Sequence, residues 1–400
     1  MIEFSSSIKN LRSSEIRRLM KLAADPSIIS FAGGMPNNEI FPVDVVEQLW
    51  LNLPRSIKQA AFQYGPTSGY PPLLASLKEY LRSKGLPVDE SQDLLITTGA
   101  QQAINLVTKV LIDPGDRIIT EYPSFIGALA AFKSYGAILK GIALDNDGID
   151  IDELAKALAD KWLKPKMLYI SPYFHNPAGI IYSKERKQAL IEVLIKSKTC
   201  LLEDDPYCEL YFDDKDRDLT LPIKASAQEK FPICYVGSFA KIFGPGMRLG
   251  WLLGPREIVD KCEMAKQSMD ACSATFTQVL ANEFLSKNKL PDYVSLLRTS
   301  CARRARTMLK ALEENMPGGV SWTRPKGGFY IWVTLPETMD ASDVFSASIK
   351  KGAAFVIGNA FDPEEKKNNC FRLAFSHTPE KKIETGIKII GEAVKNLIKN

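Results

Sequence analysis

Five short segments of this 400-residue chain carry side chains that suit a single crevice. They are Thr98-Gly99-Ala100-Gln101, Glu121-Tyr122-Pro123-Ser124, the run from Ser171 to Gly179 with His175-Asn176-Pro177 inside it, Asp204-Asp205-Pro206-Tyr207, and Gly237-Ser238-Phe239-Ala240-Lys241. Backbone N–H groups at Ala100 and Gln101, the Ser238 hydroxyl and the Arg248 guanidinium could share a phosphate. Tyr122 could stack on a ring and Asp204 could pair with a ring N–H⁺. Lys241 could form an imine if neighbouring cations make its amine less basic. One lysine or aspartate after a strand is ordinarily a solvated side chain or a turn cap. The joint placement is what points to an anionic, aromatic, carbonyl-bearing cofactor.

Each of these segments follows a short apolar run with β propensity: Leu94–Thr97, Arg117–Thr120, Met167–Ile170, Cys200–Glu203 and Ile233–Val236, with Leu249–Leu253 after them. Helical patterns separate most of the runs. Gln101 to Ile112 places Ile104, Val107, Val110 and Leu111 at a period near 3.6, and Glu185 to Ser197 is a second case. Buried strands alternating with helices predict an α/β fold with a mostly parallel sheet covered on both faces. Ligands of such a sheet sit beyond the carboxyl ends of its strands, where the five segments lie. The charged helical stretch Asp292–Glu314 marks the passage out of the sheet, and strands with fewer helices follow at Trp322–Thr334 and Ala354–Ser376. The expected division is an N-terminal segment over 1–45, a large domain over 46–304 and a small α+β domain over 305–400 that the N-terminal segment joins.

Composition excludes several classes. Hydrophobic residues make up 45% and charged residues 24%, which is globular and not broadly disordered. The formal net charge of +4 is spread among acidic residues, so no nucleic-acid partner is expected. Seven cysteines without a CxxC pair argue against a disulfide framework and a zinc site and for reduced thiols, hence a cytoplasmic protein. Met1–Met20 lacks a long apolar core and later apolar runs are short, so neither a signal peptide nor a membrane span is expected. Gly244-Pro245-Gly246-Met247-Arg248-Leu249-Gly250 imitates a dinucleotide fingerprint but precedes a strand instead of linking strand to helix.

The ordered motifs resemble a class I/II aminotransferase of pyridoxal-5′-phosphate (PLP) fold type I, nearest the kynurenine/α-aminoadipate aminotransferase branch. The match runs through Ala32-Gly33-Gly34-Met35-Pro36, Gln63-Tyr64-Gly65-Pro66-Thr67-Ser68-Gly69, Asn176-Pro177-Ala178-Gly179, Asp204 to Tyr207, Ser238 to Lys241 with Arg248, Lys326-Gly327-Gly328-Phe329-Tyr330-Ile331-Trp332, and Phe371-Arg372-Leu373.

The resemblance implies a large, mostly parallel sheet domain of the seven-stranded PLP-transferase type. It also implies PLP as cofactor, with Lys241 as the Schiff-base lysine and proton carrier and Asp204 on the pyridine nitrogen. Asn176 and Tyr207 would bond the phenolic oxygen, Tyr122 would stack on the ring, and Ala100, Gln101, Ser238 and Arg248 would hold the phosphate. Gly34, Asn176 and Arg372 would meet the substrate, with Arg372 on its α-carboxylate and Arg17 helping with longer side chains. Tyr64 would reach the phosphate of a neighbouring subunit, which implies a homodimer. Substrates would be an amino acid (2-aminoadipate, aromatic or broadly aliphatic) and a 2-oxo acid such as 2-oxoglutarate.

His175 stands where many relatives carry Gln or Asn and reads as a packing residue behind the site, not an acid or base. His377 reads as structural, and no metal site is expected. A PLP-dependent lyase or C–C bond-forming enzyme on the same scaffold is the alternative; a PLP-sensing regulator fits less well, since the Gly33-Gly34 motif comes early in the chain.

Overall fold

The computed structural model describes residues 3–5, 8, 25, 27–365 and 368–398. Strand β1 (Ile29–Ser30) comes first. The next eight strands form one sheet: β2 (Gln92–Thr97), β3 (Arg117–Tyr122), β4 (Ile138–Asp145), β5 (Gly148–Ile149), β6 (Met167–Ile170), β7 (Cys200–Asp205), β8 (Ile233–Ser238) and β9 (Gly250–Pro255). Their spatial order is β2-β9-β8-β7-β6-β3-β4-β5. Neighbours from β8 through β4 are parallel, whereas β9 runs antiparallel to both β2 and β8. The mostly parallel, doubly covered sheet expected from the sequence is present, as seven strands plus the two-residue β5 that folds back on β4.

The pleat sends successive residues to opposite faces. Met167 and Tyr169 of β6 pack with Ile104, Val107 and Phe132 from helices Ala100–Leu111 and Ile126–Ser134. Leu168 and Ile170 pack on the other side with Leu154, Leu190 and Leu194 from helices Ile151–Ala159 and Lys184–Ser197. Each such buried aliphatic side chain contributes about 1.5–3 kcal/mol. Strands buried on both faces therefore read as unbroken apolar runs, which is why β2, β3, β6, β7 and β8 were legible. Strand β4 was not: it lies near the sheet edge, mostly half-buried, and Lys140 and Gly141 interrupt its apolar pattern.

Beyond helix Leu290–Asn315 come β10 (Ser321–Trp322), β11 (Tyr330–Thr334), β12 (Ala353–Ala354), β13 (Val356–Ile357) and β14 (Cys370–Ala374). Strands β10-β11-β14-β13 form an antiparallel sheet, while β12 pairs in parallel with β1, joining the N-terminal segment to this region. Helices Leu290–Asn315 and Glu380–Ile398 pack along one another against it. Among the described residues, no helix is long and apolar enough to cross a membrane.

Candidate active site

The antiparallel strand β9 explains how one edge of the sheet gathers cationic and N–H donors. Its first residue, Gly250, pairs with Thr97 at the end of β2 and with Ser238 at the end of β8. Arg248, two residues earlier, therefore arrives at the edge from which helix Ala100–Leu111 departs. The packing needs glycine at 250, because a Cβ there would lie 2.7 Å from the Ala100 nitrogen and 2.8 Å from the Gly237 oxygen. Gly99, at φ 83°, is the N-cap and supplies no capping side chain, so no side chain caps the first N–H groups of the helix. A Cβ on Gly99 would sit 3.1 Å from the Arg248 Nη2. The result is a helix N-terminus, a hydroxyl and a guanidinium converging as an anion cradle.

Lys241 lies three residues past β8, and its Nζ donates to the Gly34 carbonyl at 2.8 Å. Burial, then the charges of Arg372 and Arg248, bring its amine down to about 8. Asp204 sits in β7, and the alternation of the strand turns Glu203 and Asp205 to the opposite face. There Glu203 accepts from the Ile223 and Lys224 N–H groups, and Asp205 accepts from the Tyr235 hydroxyl at 2.6 Å. Asp204 Oδ2 accepts from the Tyr169 hydroxyl at 2.8 Å, whereas its buried Oδ1 has no partner. Burial raises this carboxyl to about 7 against the Tyr169 hydrogen bond, with Asp205 and Glu121 adding to the rise. A cationic N–H against Oδ1 would offset that cost.

Arg372, in the middle of β14, is buried. It donates through Nη1 to Asn176 Oδ1 at 2.8 Å and through Nη2 to the Ala32 carbonyl, while Nε is unpaired. The Tyr207 and Tyr330 hydroxyls lie 3.0 Å apart. A cavity of about 320 Å³ is lined by Gly34, Ala100, Gln101, Asn176, Asp204, Tyr207, Ser238, Lys241, Arg248 and Arg372, together with Phe125, Ser171 and Tyr330.

Two of the expected residues that the structure describes are absent from that lining. Tyr122 ends β3 and lines a different cavity with Trp322 and Trp332. The chain turns at Pro123, and Phe125, the N-cap of helix Ile126–Ser134, enters the pocket instead. Its signal in the sequence was an aromatic directly before a helix start on the same loop. Tyr64 is 86% exposed and away from this cavity. Arg17 lies outside the described residues. Tyr330 belongs to a motif noted in the sequence, but strand pairing alone shows which way it points.

His175 is fully buried. Its Nδ1 accepts the Ala178 N–H at 3.1 Å, which assigns the proton to Nε2, and Nε2 donates to Glu121 Oε2 at 3.0 Å. Glu121 also accepts from the Ser171 N–H and the Tyr182 hydroxyl, so this group braces the Asn176 loop from behind. His377 is pushed down by burial and then by Arg304. Among the described residues no cluster suits a metal ion.

The sequence model of the family "Aminotransferase class I and II" matches residues 35–390. The chain belongs to that family. It is 38% identical to aromatic-amino-acid aminotransferase 1 of Thermococcus litoralis, over 99% of this chain and 95% of that protein. Kynurenine aminotransferase of Pyrococcus horikoshii, solved in complex with PMP, matches with a TM-score of 0.94 at 37% identity, covering 99% of this chain and 98% of that one. LysN, an α-aminoadipate aminotransferase of Thermus thermophilus, solved with N-(5′-phosphopyridoxyl)-L-leucine, matches at 0.89 and 31% identity, with the same coverage. The protein is thus a PLP-dependent aminotransferase of fold type I. Its residues fit the cofactor: an unpaired buried carboxylate oxygen suits a pyridine N–H⁺, an anion cradle suits the phosphate, and a low-pKa lysine lines the cavity they share.

Proposed function

We propose that this aminotransferase takes the amino group from α-amino acids with aromatic or 2-aminoadipate-like side chains and passes it to a 2-oxo acid such as 2-oxoglutarate. The observation that carries the α-amino acid requirement is Arg372. A buried guanidinium is costly without an anion, yet none of the described carboxylates pairs with Arg372, and its Nε is free beside the cavity. A substrate carboxylate satisfies it. The side-chain range follows the named activities of the relatives.

Bound PLP supplies an electron sink for the pair released when the substrate Cα–H bond breaks. The protein does the rest. Arg372 orients the carboxylate, with Asn176 bonded to it and also placed to meet the phenolic oxygen with Tyr207. Lys241 Nζ, brought down to about 8, is the group that accepts and returns the Cα proton. Asp204 Oδ1 keeps a proton on the pyridine nitrogen. Ala100, Gln101, Ser238 and Arg248 hold the phosphate, and Phe125 takes the ring face.

The exposed Tyr64 supports a homodimer in which it reaches the other subunit's phosphate, and Arg17 is assigned to longer side chains. No disulfide joins any of the seven cysteines, which supports a cytoplasmic setting. The division into 1–45, 46–304 and 305–400 is kept. A screen of amino acids against 2-oxoglutarate and pyruvate tests the reading; turnover of amines that lack an α-carboxylate would overturn it.

A further inference from the structure

Tyr330 opens β11 and reaches the cavity from the sheet opposite Lys241. Its hydroxyl lies 3.0 Å from that of Tyr207, with the two rings edge-on at 5.8 Å and 87°. The Arg372 guanidinium carbon lies 4.5 Å from the centre of its ring. A Cβ at position 34 would overlap the Tyr330 hydroxyl, so glycine there makes room for it. The same Gly34 offers its carbonyl to Lys241. One phenol therefore touches the Tyr207 hydroxyl, the face of Arg372 and the segment that receives the Lys241 amine.

We propose that Tyr330 is a positioning residue that donates its hydroxyl hydrogen to Tyr207, leaving the Tyr207 hydrogen to point at the cofactor's phenolic oxygen, while its ring holds the Arg372 guanidinium plane for the substrate carboxylate. This rests on the roles given above to Tyr207 and Arg372. The direction of donation follows from the count of hydrogens. Tyr207 has one hydroxyl hydrogen, and once that points at the phenolic oxygen, the 3.0 Å contact between the two hydroxyls is left for Tyr330 to fill as donor. A hydrogen bond received by Tyr207 then strengthens the one it gives. A ring that only fills space needs neither a hydroxyl in contact with Tyr207 nor a glycine cut out to receive it.

The test titrates the visible absorbance of the holoenzyme with pH, alongside steady-state kinetics. Tyr207→Phe is expected to raise the spectral midpoint, because a hydrogen bond to the phenolate form is lost. Tyr330→Phe should raise it in the same direction by less, roughly half a unit, and leave KM within about twofold, since the ring stays over Arg372. Tyr330→Leu should show the same spectral shift and raise KM for amino acids by about tenfold; Tyr330→Met replaces it if the leucine variant does not fold. An unmoved or lowered midpoint in Tyr330→Phe, with Tyr207→Phe shifted, overturns the proposal and leaves the role of Tyr207 standing. An unmoved midpoint in Tyr207→Phe overturns both. Unchanged KM in Tyr330→Leu or Tyr330→Met overturns the assignment to Arg372.

Discussion

Tyr169 gives its hydroxyl hydrogen to one oxygen of Asp204 at 2.8 Å, and the other oxygen of that carboxylate is buried without a partner. The pair fixes which oxygen remains for a ligand. Asp204→Asn is expected to cut turnover by about a thousandfold while PLP still binds through its phosphate. Asp205→Asn should be mild, because Asp205 is held on the opposite face by Tyr235 and the Cys208 N–H. Equal losses in the two variants, measured as single-turnover rates, would contradict this geometry.

The cofactor-free protein should show the protonation of Asp204 in its stability. Burial raises the folded-state value from 3.8 to about 7, so between those values the folded chain binds a proton that the unfolded chain releases. The contribution of this group is therefore present at low pH and lost as pH rises through about 7. Thermal melts of cofactor-free protein at pH 5 and pH 8 should differ less in Asp204→Asn than in the parent. An identical pH dependence would show that Asp204 is already ionised when the site is empty.

Borohydride reduction should attach PLP to Lys241, as read by peptide mass. Two other lysines serve as controls. Lys266 is buried against Asp270 at 2.7 Å, and Lys326 is an exposed partner of Asp216 at 3.6 Å. The rate of PLP loading should rise with pH up to about 8, as the amine loses its proton, and then level off. An adduct on either control lysine would refute the assignment.

His175→Ala removes the donor to Glu121 and leaves the Ala178 N–H without its acceptor, inside a buried network. A loss of about 2–4 kcal/mol is expected in denaturant unfolding. The pH limbs of kcat should stay where they are, since the imidazole faces Glu121 and not the cavity. A His175→Gln variant with normal stability and a displaced pH profile would give the residue an acid–base role instead.

Mixing Lys241→Ala chains with Tyr64→Ala chains should restore turnover toward a quarter of the parent value if the exposed Tyr64 completes the neighbouring subunit's site. Random pairing places half of the chains in mixed dimers, each with one intact site, about one site in four overall. Silence in verified mixed dimers would favour sites built from a single chain. Separately, Arg372→Ala should raise KM for every α-amino acid by about a hundredfold, the cost of a lost bidentate carboxylate bond, whereas Arg17→Ala should affect only the longer or acidic ones.

What the sequence determined by itself was the set of chemical groups and the loops that carry them. Strands buried on both faces demand unbroken apolar runs, so β2, β3, β6, β7 and β8 announce themselves, and the polar residues after each run fall on one edge by topology. Asp204 could be told from Asp205 because alternate residues of a strand face opposite ways. Tertiary structure alone decided which aromatic enters the pocket. Tyr122, the last residue of β3, and Phe125, the N-cap of the next helix, lie three residues apart, and the turn at Pro123 between them sets which one points inward. It also decided the contacts around Tyr330, because β11 and β14 pair across about forty residues of intervening chain and no local pattern encodes where a side chain from that distant sheet will land.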